Sequence, residues 1–480
     1  MFKSKFRSCI PVPKNLEQAN SVIELLLDTI EAQQAELDAL NDQRATNSRN
    51  SSKAPSSDSP SDRKQRPSKK GKSGKKQGAQ PGHKGHRRSL VEPDKVDAVH
   101  HWYPGQCACG GQVSLNNLEP RRHQIIELPE QRVHVTEHRL HHGQCCHCGR
   151  KQCARLPAAL HQTPFGARLH ATIALLSGDY HLSTQKIQCY LKTFWKLPIS
   201  QGAIINAQQR LTPWLWPLCE QIRGHLRQSA WIHVDETTHW RKNEQRWMWV
   251  MATSEAAYFQ THYSRGKGAA ENVIGEDFNQ ILISDRLGSY QIIPAERHQY
   301  CIAHLIRNFE KMKRRRGIDG RVGKKILALL RLLIRLDHRR QKVLDVRVFN
   351  ARAKRIKRRL IEWLERGSKV CRKRSRGQCE KLLKDVDRVF TFVKHPGLPL
   401  TNNEAERALR PYVIWRKTSF SSKSGLGDRF RATILSVIES CKRQGTNALE
   451  VLYQVSAQGL SGGEITASVF AENMAIEVRA

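Results

Sequence analysis

Three acidic residues, far apart in the chain, have the type and the setting of metal ligands. Asp235 ends the apolar run Trp231-Ile232-His233-Val234, and Asp285 ends the run Ile281-Leu282-Ile283-Ser284. Glu406 follows a Thr401/Asn402 cap in a segment of helical pattern. Carboxylates that converge from separate elements can hold two Mg²⁺ or Mn²⁺ ions about 3.5 to 4 Å apart, which is an arrangement that cleaves phosphodiesters. Metal-dependent cleavage of nucleic acid is therefore the chemistry that these residues indicate.

Each acid also has an ordinary structural interpretation. Glu406 and Arg410 have the i,i+4 spacing of a helical ion pair, and Asp235 could cap a turn. Asp285 could pair with Arg286. Three further acids lie close enough in sequence to exchange roles with them: Glu236, Asp277 and Glu404. Spacing alone leaves the metal site as one of several interpretations.

Cysteines form the second set of candidate ligands. Six of the 13 cysteines lie between Cys107 and Cys153, and in a chain without an export signal such clustering favours metal binding over disulfides. Two turns, each followed by glycine, hold four thiols that we predict to bind a structural Zn²⁺: Cys107, Cys109, Cys145 and Cys148. Cys146 or His147 could replace one ligand, and buried free cysteines are the alternative. Because basic residues lie between the turns, residues 93–160 are a zinc-finger-like candidate for DNA binding.

The charge of the chain identifies the kind of partner. Lys and Arg number 81 against 44 Asp and Glu, a formal charge of +37, and nucleic acid is the polyanion that fits this balance best. The most apolar stretch, residues 326–336, is interrupted by Arg331 and Arg335, so we expect no membrane association. The N-terminus lacks a secretory apolar region, and we therefore expect a cytoplasmic protein. At 480 residues the chain is long enough for roughly three domains.

Two segments precede the cysteine-rich module. Residues 1–44 carry a seven-residue apolar repeat, which predicts a coiled-coil helix able to dimerise; a helix packed on its own protein is the alternative. The repeat positions are Leu16, Ile23, Ile30 and Leu37. Residues 45–92 are rich in Ser, Lys, Gly and Pro, which predicts a disordered basic linker that contacts phosphates without sequence preference.

The remaining chain has an α/β pattern. Residues 161–228 are helical in pattern and contain a helix-turn-helix candidate at 183–211, whose helices serve either DNA reading or core packing. Short β-like runs then predict a catalytic domain at 229–435, with a basic helical insertion at about 305–395. Residues 436–480 are predicted to form a C-terminal helical region.

Four motifs together resemble the transposases of the insertion sequence 66 family. They are His233-Val234-Asp235-Glu236-Thr237, Ser284-Asp285-Arg286 with Tyr290, Cys301-Ile302-Ala303-His304, and Asn402-Asn403-Glu404-Ala405-Glu406-Arg407-Ala408-Leu409-Arg410-Pro411. The last of these is the most specific. Segments 50–57, 80–85, 416–427 and 436–451 also fit, so the similarity covers nearly the whole chain.

The resemblance implies a DDE-type enzyme with a ribonuclease-H-like core. It makes Asp235, Asp285 and Glu406 the catalytic acids, binding two Mg²⁺ or Mn²⁺ ions. Three residues are expected to support the core: Cys301, His304 and Asn403. Four basic residues after the glutamate are expected to hold DNA phosphates: Arg407, Arg410, Arg416 and Lys417. The family usually has two Cys-x-x-Cys pairs, and the first is shortened here to Cys-x-Cys, which leaves the zinc ligand set open.

These inferences predict a bacterial, nucleoid-associated transposase that binds the terminal inverted repeats of its element and a target DNA. Metal-bound water would cut a strand at the element end, and the freed 3′-hydroxyl would attack the target. We expect a homo-oligomer, and the resemblance implies accessory proteins encoded by the same element. The alternatives are a zinc-containing regulator that binds DNA without cutting it, and a metal-dependent nuclease without strand transfer.

Overall fold

In the computed structural model of the chain, the described residues are 15–44, 89–115, 119–157, 163–340, 345–419 and 421–470. Most of the predicted linker, 45–88, lies outside them, as do residues 1–14 of the predicted coiled-coil segment and 471–480 of the C-terminal region. Two compact units make up the chain: residues 1–59 together with 135–480, and residues 60–134. No helix among the described residues is long and apolar enough to cross a bilayer.

Before residue 163, the described residues contain little regular structure apart from one helix. Helix α1 spans Leu16–Arg44, and its heptad residues are exposed, including Ile23, Ile30 and Leu37. The helix agrees with the prediction, and its pairing into a coiled coil stays a prediction. Among the described residues of 60–134 there is one short 3₁₀ turn, Pro93–Lys95. Strands β1, His142–Gln144, and β2, Lys151–Cys153, form an antiparallel hairpin.

Four helices, α2 to α5, lead into the sheet: Ala167–Gly178, Thr184–Trp195, Gln201–Trp214 and Trp216–Gln228. Ser183 Oγ accepts the Lys186 N–H at 3.3 Å, and Ser200 Oγ accepts the Ala203 N–H at 3.1 Å. These serine N-caps begin α3 and α4, the predicted helix pair. The pair packs on α2 around a small apolar core that contains Ile173, Ile187, Leu191 and Ile204. Core packing is thus one use of this helix pair.

Five strands form one mixed sheet: β3, Trp231–Arg241; β4, Glu244–Ala252; β5, Ala257–His262; β6, Ile281–Ser284; and β7, His298–Tyr300. Their order is β5-β4-β3-β6-β7. Strands β3 to β5 are antiparallel neighbours, whereas β6 runs parallel to both β3 and β7. Helix α6, Lys267–Ile274, connects β5 to β6. The sheet and its helices confirm the predicted α/β class.

Strand β3 is longer than the apolar pattern predicts. We expected Asp235 to end the strand, and this was wrong, because β3 continues to Arg241. Strand β4 supplies a backbone partner for every residue from His233 to Arg241. The β-branched Thr237 and Thr238 suit such a half-exposed strand even though they interrupt the apolar run. Asp235 therefore lies inside the strand, in the middle of the sheet.

Five helices, α7 to α11, lie between β7 and the segment that carries Glu406: Ile302–Lys313, Ile318–Arg340, Val346–Val370, Lys373–Lys384 and Thr391–Lys394. They occupy the position of the predicted helical insertion. Their apolar faces build one core that also contains Ile281 and Ile283 of β6. The insertion is therefore packed directly on the strand that precedes Asp285.

Three more helices follow: α12, Asn403–Ser419; α13, Gly425–Gln444; and α14, Ala448–Ser461. Helix α13 covers the edge strand β5, where Ser436 Oγ accepts the Phe259 N–H at 2.9 Å and Ser440 Oγ accepts the Ala257 N–H at 3.0 Å. Helix α13 is continuous across residue 435. The predicted boundary between residues 435 and 436 therefore falls inside a helix of the main core.

A buried polar network joins β3, α12 and α13. His239 Nε2 lies 2.7 Å from Asp428 Oδ1, and Arg241 Nε donates to Asp428 Oδ2 at 2.6 Å. His239 Nδ1 contacts the hydroxyl of Tyr412. Burial alone would raise the pKa of Asp428, but hydrogen bonds from His239 and Ser422 outweigh it and lower the pKa to about 2. The ionised carboxylate thus ties the far half of β3 to both helices.

We predict that Asp428→Asn lowers the free energy of unfolding at pH 7 by roughly 2 kcal/mol. The folded-state pKa lies below the ordinary value of 3.8, so the stabilisation is present above pH 3.8 and is lost as the pH falls through about 2. Urea unfolding of both proteins at pH 7 and pH 3 measures this, and the difference should shrink at pH 3. An equal difference at both pH values would show that the charge of Asp428 does not stabilise the fold.

Candidate active site

Strands β3 and β6 place the first two acids side by side. Trp231 pairs with Ile281 and His233 with Ile283, a constant offset of 50 residues, and the same offset relates Asp235 to Asp285. Neighbours in a parallel register point to the same face of a sheet. Asp285 follows the last residue of β6, and its Oδ1 accepts the Leu287 N–H at 2.9 Å. The backbone turn after β6 thus fixes this carboxylate beside Asp235.

Electrostatics bring the third acid into the same group. Burial raises the pKa of Asp235 well above its ordinary value, and the negative charges of Glu236, Asp285 and Glu406 each raise it further. A backbone hydrogen bond from the Glu236 N–H to Asp235 Oδ1, 2.9 Å long, acts in the opposite direction. All three predicted acids therefore interact with one another through Asp235, and Glu236 is a fourth member of the group.

Glu236 has its own partner. Burial and the charge of Asp285 raise the pKa of Glu236 to about 7, although the Tyr290 hydroxyl donates to Glu236 Oε2 at 2.7 Å and lowers it. Tyr290 is fully buried and packs edge-on against Trp249, with ring centroids 6.0 Å apart. The buried tyrosine thus holds the Glu236 carboxylate in place.

Glu406, in the first turn of α12, is oriented by helix α7. Arg307 Nη2 lies 2.8 Å from Glu406 Oε1, and His304 Nδ1 lies 3.5 Å from the same oxygen. Among the described residues, no hydrogen bond to Glu406 Oε2 is formed. The ion partner of this glutamate is therefore Arg307, and not Arg410 as the i,i+4 spacing allowed. One oxygen of Glu406 is thus held, while the other has no hydrogen-bond partner in the described chain.

The start of α12 is anchored by Asn402. Its Nδ2 donates to the Val234 carbonyl at 2.9 Å, its Oδ1 lies 3.3 Å from His233 Nδ1, and its N–H donates to Cys301 Sγ at 3.1 Å. Burial lowers the pKa of His233 to about 4, so this imidazole is neutral at pH 7. Asn402 is fully buried, whereas Asn403, which we expected to support the core, is exposed. The anchoring contacts belong to Asn402.

Cys301 lies at the junction of β7 and α7. Burial raises the pKa of its thiol to about 11, so a neutral thiol accepts the Asn402 N–H. The ligand atoms of Cys301, His304 and Glu406 lie within 4.8 Å of one another. The structural roles that we expected of Cys301 and His304 stay predictions.

The predicted phosphate-binding residues of α12 differ in their environment. Arg407, Arg410 and Lys417 are exposed, and Arg407 pairs with Glu404. Arg416 is half-buried and donates to Thr237 Oγ1 at 3.1 Å and to Thr238 Oγ1 at 2.7 Å. Arg416 therefore binds strand β3 in this structure, while the other three basic residues face outward.

Each cysteine turn, one in each unit, is closed by a glycine N–H, and the second turn is one residue longer than the first. In the first, the Gly110 N–H donates to the Cys107 carbonyl at 2.8 Å; in the second, the Gly149 N–H donates to the Cys145 carbonyl at 2.9 Å. Both glycines have positive φ, 86° and 69°, a conformation that favours glycine. Backbone N–H groups lower the thiol pKa of Cys109 and Cys145. Both turns therefore favour thiolates, which are the form that binds zinc.

The acid group fits hard divalent cations. Its donors are carboxylate oxygens, which are the ligands that Mg²⁺ prefers. A cation would also offset the repulsion among Asp235, Asp285 and Glu406 that raises the pKa of Asp235. The residues present thus fit the metals that the motifs imply.

Sequence reasoning missed Arg307, the anchoring contacts of Asn402 and the hydrogen bond between Tyr290 and Glu236. Arg307 follows His304 by three residues, so both lie on one face of α7, and that spacing could have identified it. Nothing in the sequence distinguishes Asn402 from Asn403, because the distinction depends on where α12 begins.

Sequence comparisons match the chain to two families and to two other proteins. Residues 162–429 match the family described as "Transposase IS66 family", and residues 9–89 match a family of unknown function. The uncharacterized protein y4qI of Sinorhizobium fredii is 26% identical over 283 residues, which cover 52% of this chain and 52% of that protein. The uncharacterized protein y4hP of the same organism is 24% identical over 378 residues, 71% of this chain and 68% of that protein. The matched part of the chain thus spans about half the length of the first relative.

We predict that Glu236→Gln stabilises the protein at pH 8 when divalent cations are chelated, by roughly 2 to 3 kcal/mol. The folded-state pKa of about 7 exceeds the ordinary 4.5, so the wild type loses stability as the pH rises from 4.5 to 7. Glutamine keeps an acceptor for Tyr290 but carries no charge. Thermal unfolding in EDTA at pH 4.5 and pH 8 measures the gain, which should be absent at pH 4.5.

The matched control is Glu404→Gln, which removes an acid of the same helical turn as Glu406 that pairs with Arg407. This control should show no gain at pH 8. A Glu236→Gln protein that melts below the wild type at pH 8 would contradict the repulsion among the buried acids.

Proposed function

The chain belongs to the Transposase IS66 family, and on this premise we propose that it is a DNA transposase that cuts the ends of its element and joins them to target DNA. One observation carries the proposal: the 50-residue register of β3 and β6 sets Asp235 beside Asp285, and the charge of Glu406 acts on the same carboxyl. Three acids from three elements are what phosphodiester chemistry with two cations needs.

We propose that the catalytic domain has a ribonuclease-H-like core. The five-stranded mixed sheet supports this, with three antiparallel strands followed by two parallel ones. The acids lie on its two central parallel strands and on the helix α12 that packs against β3. The insertion α7 to α11 then enters between β7 and that helix, as the family resemblance implies.

Asp235, Asp285 and Glu406 would hold two Mg²⁺ or Mn²⁺ ions. Such ions, when bound, activate a water and later a 3′-hydroxyl as nucleophiles and stabilise the leaving oxygen. The residues of the chain would position the acids: Arg307 and His304 contact Oε1 of Glu406, which would leave Oε2 for a cation. Leu287 fixes Asp285 in the same way. No covalent bond between protein and DNA is required.

The DNA strand would lie along α12. Arg407, Arg410 and Lys417 are exposed on this helix, and their spacing of three and seven residues keeps them near one face. Guanidinium and ammonium groups on that face can bind phosphates next to the acids. Arg416, bound to Thr237 and Thr238, would instead hold β3 in register with the helix.

The remaining parts would serve assembly and end recognition. We propose that the two cysteine turns bind structural zinc and that their module contacts the terminal repeats of the element. Helix α1, with exposed heptad residues, would pair with a second copy as a coiled coil. Accessory proteins of the element would join this assembly.

We predict that Asp235→Ala and Glu406→Ala each reduce strand transfer by more than about 100-fold, since even outer-shell changes at metal sites cost 10- to 100-fold. Binding to element-end DNA should stay within about threefold of wild type. The measurement is a strand-transfer assay with Mg²⁺ beside a mobility-shift assay. Glu404→Ala is the control in the same helix and should retain transfer.

Retained strand transfer in Asp235→Ala or Glu406→Ala would contradict the assignment of these acids as catalytic residues. The products also test the alternatives. Nicked DNA that is never joined to target would indicate a nuclease, and DNA bound but never cut by the wild type would indicate a regulator.

We predict that the purified protein contains zinc and that Cys145→Ser with Cys148→Ser removes it. Two lost thiolates leave too few ligands for a closed tetrahedral site. Metal analysis by mass spectrometry measures the content. Cys189→Ser, an exposed cysteine of α3, is the control and should leave zinc unchanged. Zinc retained at full occupancy by the double variant would refute the ligand assignment.

A further inference from the structure

A groove on the helical insertion gathers arginines. It lies between α8 and α9 and encloses about 300 Å³. Five arginine side chains line it: Arg335, Arg339, Arg352, Arg355 and Arg359. The other lining residues include Leu329, Leu332, Leu336 and Ile356, which form an apolar floor. None of these residues belongs to the acid group or to the phosphate-binding face of α12.

The groove arginines are not neutralised by the described part of the chain. All five are exposed, and none of them forms an ion pair with a carboxylate of the described residues. On the same two helices, Arg331 pairs with Glu310 at 2.9 Å and Arg358 pairs with Glu362 at 3.9 Å. Arginines elsewhere on these helices thus pair with carboxylates, whereas the groove arginines do not pair with any carboxylate of the described residues. Five like charges around one groove repel one another, so a bound anion would stabilise them.

The surrounding sequence is basic as well. Residues 305–395 contain 31 Lys and Arg against nine Asp and Glu, so this segment carries 22 (31 − 9) of the 37 net positive charges of the chain. A long polyanion such as DNA matches this extended positive charge better than a small anion does.

The spacing of the arginines also points to an extended polyanion. Arg335 and Arg339 are one helical turn apart on α8, about 6 Å along the axis. On α9, Arg352, Arg355 and Arg359 follow one another at intervals of three and four residues. A row of guanidiniums on each wall can bind successive phosphates through bidentate hydrogen bonds. The apolar floor between the walls can contact the sugars, which a bare cationic surface would not.

The helices that form the groove pack in the same core as strand β6. The apolar faces of α8 and α9 pack in the same core as Ile281 and Ile283 of β6, and β6 ends at Asp285. A duplex bound in the groove would therefore be held by the same rigid core that fixes this acid.

We infer that the arginine groove between α8 and α9 binds the phosphate backbone of duplex DNA without sequence preference, as a second DNA surface apart from α12. The inference rests on the proposed function, because DNA is taken as the substrate. Its role is to hold the duplex that flanks the reacting strand. Sequence-independent contacts of this kind position DNA and leave base recognition to other parts.

The test compares two double variants of the full-length protein that remove the same charge from the same helices. Arg335→Gln with Arg355→Gln removes one arginine from each wall, and Arg331→Gln with Arg358→Gln removes two arginines that already have carboxylate partners. Binding of a random-sequence 30-base-pair duplex is measured by fluorescence anisotropy between 50 and 300 mM KCl. Circular dichroism of each variant confirms that it is folded.

The groove variant should lower the slope of log Kd against log salt by about 1.8 and weaken binding about tenfold at low salt, since each lost phosphate contact contributes about 0.9. The control should change the slope by less than about 0.3 and the affinity by less than about twofold. The loss should be equal for element-end and random duplexes, because the contacts are not to bases.

Equal slopes for the groove variant, the control and the wild type would overturn the inference while leaving the proposed function intact. A wild-type protein that binds no duplex would overturn both. If the groove variant loses binding to phosphatidylglycerol vesicles and keeps its DNA slope, the groove binds anionic lipid and the inference of a DNA surface is wrong.

Discussion

Half-buried carboxylates that lie side by side repel one another, and the elements around the sheet of this protein hold four of them together. Asp235 and Glu236 are neighbours on β3, Asp285 is set by the register of β6, and Glu406 approaches from α12. Burial and mutual repulsion raise the pKa of Asp235 and Glu236, so their ionised forms are costly without a cation. The surrounding structure fixes the positions of the four carboxylates but does not remove the free-energy cost of ionising them.

Two sets of contacts hold α12 against β3 and so keep the acids at a fixed separation. At the start of the helix, Asn402 bonds the backbone of Val234 and contacts His233. Further along, Arg416 binds two threonines of β3, and Tyr412 meets His239, which in turn contacts Asp428. Because the anchors lie on both sides of Glu406, the helix has little freedom to slide or tilt, and Glu406 keeps its place relative to Asp235.

The sequence predicts the grouping of the acids but not the contacts that support them. Runs such as Ile281–Ile283 identify buried strands, and the 50-residue separation of Asp235 and Asp285 is the register of the sheet itself. The sequence did not predict the second half of β3, because its Thr and His residues do not continue the apolar run. Their polar groups find partners only through tertiary contacts. The Arg307–Glu406 pair joins residues 99 positions apart, so local spacing can group Arg307 with His304 but cannot identify Glu406 as its partner. The predicted boundary at 435 lies inside α13, whose packing on β5 is a tertiary contact that the sequence pattern does not show.

Edge strands are surfaces on which sheets of neighbouring molecules can grow, and β5 is such an edge. Here the N–H groups of Ala257 and Phe259 are already bonded to two serines of α13. This strand is thereby protected from recruiting a foreign strand. Assembly at this edge through a continuous intermolecular sheet, the first step toward aggregation, is disfavoured by two hydroxyl groups.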